Sequence, residues 1–222
     1  MLPQVHVHPV TPRVLANRTH VIVATRDPVK RVISAFNHNH PDGGERPINS
    51  NNFYSRLLPL YRCYPTVAAL ALGLSRNDSC GDIARRALTS LPADHDAPYY
   101  GHGHLMMGFC FYVGGVLGAL RAIGRRSGGR GGVFLIDTES CAEDTAEGLV
   151  WLGAPAATAK AATSAMPHVF GAKLDLKHHG ETVTPQGESI LRAFLDFEYQ
   201  ALKELRDMSV NKETAHDWGS SP

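Results

Sequence analysis

The sequence predicts an α/β fold, a parallel sheet flanked by helices, and three observations predict it. Residues 5–8, 21–25 and 133–137 are short β-branched runs bounded by proline, polar or glycine-rich segments, the pattern of buried strands. A long, mostly helical stretch separates the second run from the third, and helical crossovers between strands are the mark of a parallel sheet. The 222 residues carry 22 Lys+Arg against 21 Asp+Glu and are 43% hydrophobic, a composition that suits one globular domain and rules out a disordered tail. One domain over 1–207 is expected, followed by a polar, flexible tail over 208–222.

Helices follow from the 3.6-residue period. Val29, Val32, Ile33 and Phe36 fall on one face, with Asp27 as N-cap and Pro28 at the first helical position. Further helices are expected over 52–60, 66–74, 81–90, 104–124 and 143–152. The last is the clearest: Thr184 caps it, Pro185 opens it, and Ile190, Leu191, Phe194, Leu195, Leu202 and Leu205 form a core-facing stripe running to about Arg206. The apolar stretch 105–123 is the strongest membrane candidate. It is interrupted by Arg121 and contains Gly108, Gly114, Gly115 and Gly118, so it reads as a buried helix rather than a span.

Charge and cysteine usage narrow the function classes. A net charge of +1 supplies no long-range field for a polyanion, so no nucleic-acid partner is expected and any anion site must be local. Cys63, Cys80, Cys110 and Cys141 form no CxxC pair, which argues against a structural zinc site. Three disulfide pairings are possible on paper; Cys63 and Cys80, in polar, turn-rich surroundings, are the candidate pair, and only in an oxidising compartment. The opening residues lack a basic region followed by an apolar one, so no secretory signal is expected in the chain as it stands. The glycine-rich 125–132 precedes a strand instead of following one and lacks a GK[ST] ending, so it reads as a surface turn and not a phosphate loop.

Residues 21–37 are the most informative stretch: a strand, Arg26 at its carboxyl end, a capped helix start, and Ser34 on the helix's polar side. Ligands of open α/β sheets sit beyond the carboxyl ends of strands. An arginine there offers a forked, always charged donor for a phosphate, and a hydroxyl adds a neutral one. By residue chemistry alone, Arg26 as a surface ion-pair partner with Ser34 as a solvated helix residue stands equally beside that reading.

The run Arg26-Asp27-Pro28-x-x-Arg31-x-x-Ser34-Ala35-Phe36 resembles the 3′-phosphate-binding motif of sulfotransferases that use 3′-phosphoadenosine 5′-phosphosulfate (PAPS). Tyr61-Arg62-Cys63-Tyr64-Pro65-Thr66, the helix over 104–120, 133–139 with Leu149-Val150-Trp151-Leu152-Gly153, and Phe197-Glu198-Tyr199-Gln200-Ala201-Leu202 look like later parts of carbohydrate-type and algal members. The resemblance implies a P-loop-type sulfotransferase fold and transfer of a sulfonate group from PAPS to a hydroxyl, with a carbohydrate as the acceptor. It implies that Arg26 and Ser34 bind the cofactor's 3′-phosphate. His8, which alternates with valines on the first strand, is the candidate catalytic base, its imidazole suited to accept a proton near neutral pH.

Family members also carry a 5′-phosphosulfate loop ahead of the strand equivalent to 5–8, and no Lys-x-Gly-[Ser/Thr] loop precedes Val5 here. The expectation is therefore an N-terminally truncated sulfotransferase, Golgi-lumenal if a full-length form carries an anchor. The alternative is a degenerate relative that binds a nucleotide or a partner without catalysis. No metal is expected: His6 and His8 lack a fixed third partner among His38, His40, His102 and His104. The turn over 38–44, with His38 and His40, could border an acceptor cleft, and the loop of Tyr99, Tyr100, His102 and His104 could stack a sugar ring or be an ordinary loop before a long helix; Lys177, His178 and His179 belong to a loop of the kind that covers the nucleotide in the resembling family. Asp137 and Glu139 end a strand, where a carboxylate most simply caps the next helix.

Overall fold

The structure, a computed structural model, describes residues 10–38, 40, 52–89, 105, 108–126, 131–164 and 183–211. It is mixed helix and sheet, with a small parallel sheet flanked by helices. Two compact units share the chain: one takes its described residues from Asp27–Gly114 and Asp175–Glu198, the other from Val10–Arg26, Gly115–Leu174 and Tyr199–Pro222.

The strand-bearing unit is built on β1 (His20–Thr25) and β2 (Gly132–Asp137), parallel and in register from His20 beside Gly132 to Thr25 beside Asp137. The ladder is closed at both ends, where Gly132 N donates to Thr19 O at 2.8 Å and Thr138 N to Thr25 O at 2.9 Å. The other edge of β2 is occupied as well. Ser209 bridges to Val133 in parallel, Val210 N donates to Val133 O at 2.8 Å, and the Asn211 side-chain amide exchanges two hydrogen bonds with Leu135 at 3.1 and 2.9 Å. Met208 ends the last helix and Ser209 is buried, so packed structure continues past 207 through Ser209, Val210 and Asn211.

Val133, Phe134 and Leu135 are all buried because helices over Leu117–Arg126 and Cys141–Trp151 both lie against β2. β1 corrects the expectation of uniformly buried strands. Ile22 is 41% exposed and Ala24 is exposed as well, and these i, i+2 residues share one face. Gly132 opens β2 at φ +151, a conformation that favours glycine, and a Cβ there would lie 2.8 Å from a Val210 methyl.

Helices flank this pair. The short α1 (Pro12–Leu15) is capped by Thr11 and buries Leu15. α8 (Cys141–Trp151) lies against β2, with Gly148 close to the Phe134 ring and Trp151 stacked on that ring at 5.5 Å. α9 (Ala156–Ser164) packs on α8; its alanine-rich sequence has no apolar period, and the sequence reading placed no helix there.

The other unit is helical in its described residues. It holds α2 (Pro28–His38), α3 (Asn52–Cys63), α4 (Val67–Gly73), α5 (Ser79–Leu88), α6 (Phe109–Val113) and α10 (Pro185–Phe194). Side-chain caps start four of them: Asp27 accepts from Lys30 N, Thr66 from Ala69 N, Asp78 from Gly81 N and Thr184 from Gly187 N. Pro185 opens α10 as the sequence predicts. Phe36, Leu60, Tyr64, Leu70, Leu191 and Leu195 are fully enclosed, and α10 approaches α4 so closely that a Cβ on Gly187 would lie 3.2 Å from the Ala71 methyl.

Two long helices expected from the sequence are broken. The stretch ending near 124 is α6, a 3-10 turn at Gly114–Val116, and α7 (Leu117–Arg126). Paired glycines have poor helix propensity and accept the tighter turn. The closing helix divides at Leu195 into α10 and α11 (Asp196–Met208), which puts Asp196 and Glu198 in a new first turn, where the helix dipole favours carboxylates. Among the described residues no helix is long and apolar enough to cross a membrane.

Cys63 and Cys80 form a disulfide, joining the last residue of α3 to the second of α5 across a separation of 17 residues. Closing a loop of that length contributes about 3 kcal/mol by restricting the unfolded chain. Replacing both cysteines with serine is expected to lower the unfolding free energy by that order in denaturant titration, and equal stability would contradict the assignment.

Candidate functional site

The turn from β1 into α2 is built from the residues that the sequence singles out. Thr25 closes β1, buried, its hydroxyl donating to Ile136 O at 3.4 Å. Arg26 follows at once and is half-buried. Asp27 is 2% exposed and caps α2 as expected, one carboxylate oxygen accepting from Lys30 N at 2.9 Å. Val29, Val32, Ala35 and Phe36 turn inward, which leaves Ser34 half-buried on a different part of the helix surface. Among the described residues, neither the Arg26 guanidinium nor the Ser34 hydroxyl has a hydrogen-bond or ion-pair partner.

Around this turn lie charged groups whose partnerships the sequence reading missed. Arg192 of α10 places a guanidinium nitrogen 3.6 Å from the second Asp27 oxygen, and its Nε donates to Glu188 at 3.3 Å. Arg31, inside the motif, donates to Leu105 O at 3.3 Å. Glu198 is 2% exposed and accepts from Phe109 N at 2.5 Å, at the start of α6. Gly108 leaves room for it, since a Cβ there would fall on the Glu198 carboxylate. Burial pushes the Glu198 carboxyl up, opposed by Arg31 and by the N–H groups of Phe109 and Cys110. Burial likewise raises the Tyr112 phenol, again opposed by Arg31. The available signal for these pairings was charge placed beside apolar helix positions, which names the residues without naming their partners.

A second polar group sits at the carboxyl end of β2. Asp144 accepts from Asp137 N at 2.7 Å and from the Ser140 hydroxyl at 2.8 Å, and Asp137 accepts from Glu139 N at 2.8 Å. Asp137 thus shapes the turn that leads to α8, whose N-cap residue is Ser140 and not the strand-end carboxylate expected there, while Asp144 ties the first turn of α8 back to the strand.

The other candidates divide by position. His8, the candidate base, lies outside the described residues, as do His6, Tyr99, Tyr100, His102, His104, Lys177, His178 and His179. His40 packs its ring against Phe36 and Tyr61 at 5.8 and 4.9 Å. Among the described residues no group of three His, Cys, Asp or Glu side chains could hold a metal ion.

Because the Glu198 carboxyl is raised, the folded chain holds its proton more tightly than the unfolded one. Its contribution to stability is complete below the ordinary value of 4.5 and is lost as pH rises through the raised value. Glu198→Gln keeps an oxygen for Phe109 N and is expected to flatten the pH dependence of the unfolding free energy above 4.5. An unchanged profile in denaturant titrations across pH would contradict this. Comparison with known proteins finds no matching family model, no matching curated protein and no matching solved structure.

Proposed function

We propose that the chain is a sulfotransferase-like protein whose β1–α2 turn binds the 3′-phosphate of PAPS, and that its intact form transfers the sulfonate group to a hydroxyl of a carbohydrate. One observation supports the reading: Arg26 and Ser34 are each half-buried and, among the described residues, neither side chain has a hydrogen-bond or ion-pair partner, while the α2 cap is supplied by Asp27. A surface ion-pair role for Arg26 finds no partner among the described residues, which favours the anion-binding alternative.

The donor set fits a phosphate monoester. Arg26 supplies a charged fork and Ser34 a neutral hydroxyl, a pairing that holds the dianion and leaves its ester oxygen free. PAPS, when bound, supplies an activated sulfonate group. The protein's part is to anchor the nucleotide away from the reacting centre, so that the acceptor oxygen meets sulfur in line with the departing 5′-phosphate. As the new S–O bond forms and the old one breaks, the acceptor's proton passes to a base, for which His8 remains the candidate.

Calorimetric titration of adenosine 3′,5′-bisphosphate into the wild type and Arg26→Ala tests this reading. Losing a charge-assisted contact is expected to cost about 2 kcal/mol, roughly a thirtyfold weaker affinity, with a smaller loss for Ser34→Ala. Equal affinities of wild type and Arg26→Ala would remove Arg26 from the site.

A further inference from the structure

Asparagines in Asn-x-Ser/Thr triplets, with x other than proline, accept N-linked glycans in chains that enter a secretory lumen. The sequence holds two such triplets, Asn17-Arg18-Thr19 and Asn77-Asp78-Ser79. A glycan is bulky and hydrated, so its asparagine must stand on the surface, in a turn or loop. Both asparagines do. Asn17 lies in the turn between α1 and β1, where Ala16, Asn17, Arg18 and Thr19 are all exposed. Asn77 lies between α4 and α5 in an exposed run over 75–79, just ahead of the Asp78 that caps α5. Among the described residues neither carboxamide makes a hydrogen bond, so a sugar on its nitrogen displaces no contact of the fold.

The disulfide is a second, independent observation. Cys63 is bonded to Cys80, and such bonds persist in secretory lumens and outside the cell, whereas cytosolic thiols are kept reduced. A compartment that oxidises this pair is one a chain reaches through the site of glycan transfer.

We propose that Asn17 and Asn77 are N-glycosylation sites, each taking an oligosaccharide from a polyprenyl-pyrophosphate donor. The carboxamide nitrogen bonds to the anomeric carbon of the first sugar, and the bond from that carbon to the pyrophosphate oxygen breaks. The nitrogen gives one proton to a base of the transferase, and the lipid pyrophosphate leaves with the electron pair. Nothing is oxidised or reduced. The transferase reads the hydroxyl of the third residue, threonine at one site and serine at the other. Threonine makes the better acceptor, and the Asp78 carboxylate beside Asn77 disfavours transfer, so occupancy is fuller at Asn17.

The test uses the natural protein isolated from its own cells and treated with peptide N-glycosidase in heavy-oxygen water, which leaves an oxygen label wherever a glycan was attached. Mass spectrometry of its peptides is expected to find the label at positions 17 and 77, more fully at 17, with Cys63 bonded to Cys80 before reduction. Unlabelled asparagine at both positions overturns the proposal, whether the cysteines are bonded or free, and unlabelled asparagine at one position overturns it for that site. In the same cells Thr19→Ala is expected to lose the label at 17 and Thr19→Ser to keep it, while Ser79→Ala loses the label at 77. Thr19 is exposed and its hydroxyl pairs with the adjacent His20 ring at 2.9 Å, so these exchanges leave the fold in place. A label that survives either alanine variant overturns the assignment at that site. All of these outcomes are independent of nucleotide binding at Arg26 and Ser34.

Discussion

The Asp27 carboxylate is almost wholly buried, and a buried carboxylate is costly unless its oxygens are committed. Both are: one accepts from the first turn of α2, the other faces Arg192 of α10. Losing the Arg192 guanidinium would weaken the compensation of a charge held away from water. The start of α2 is therefore held at both oxygens of one side chain. That fixed start determines the helix phase, and the phase turns Val29, Val32 and Phe36 inward and keeps Ser34 out of the fully buried stripe.

The strand-bearing unit has its own fixed point in β2. A parallel strand paired on one side only would leave its backbone groups to water, yet β2 is met by β1 along one edge and by Ser209, Val210 and Asn211 along the other. The Asn211 amide stands in for a peptide group by both donating to and accepting from Leu135. With its backbone paired on both edges and α7 and α8 lying against it, β2 buries Val133, Phe134 and Leu135, and the Phe134 ring becomes the surface on which Trp151 and Gly148 of α8 pack.

Elements with a local signal were legible in the sequence. β2, the capped start of α2 with its Asp27 and Pro28, and the Thr184-Pro185 opening of α10 each announce themselves within a few residues. What escaped was set by tertiary partners. The break at Leu195 interrupts an unbroken apolar stripe, α9 has no stripe to read, and Ser209 to Asn211 look like the start of a polar tail until Val133 and Leu135 are beside them. At the candidate site, Arg26 and Ser34 were visible through their spacing. Arg192 and Glu198, which lie more than 160 residues away in sequence, were invisible as partners of Asp27 and Arg31, because distance along the chain hides which charges meet.

The central claim is that the turn from β1 into α2 holds a nucleotide phosphate. Backbone amide chemical shifts followed by NMR during titration with adenosine 3′,5′-bisphosphate address it most directly, because they report which segment meets the ligand. The account predicts saturable changes concentrated between Arg26 and Ser34. Saturable changes confined to other segments, with these amides unmoved, would contradict it.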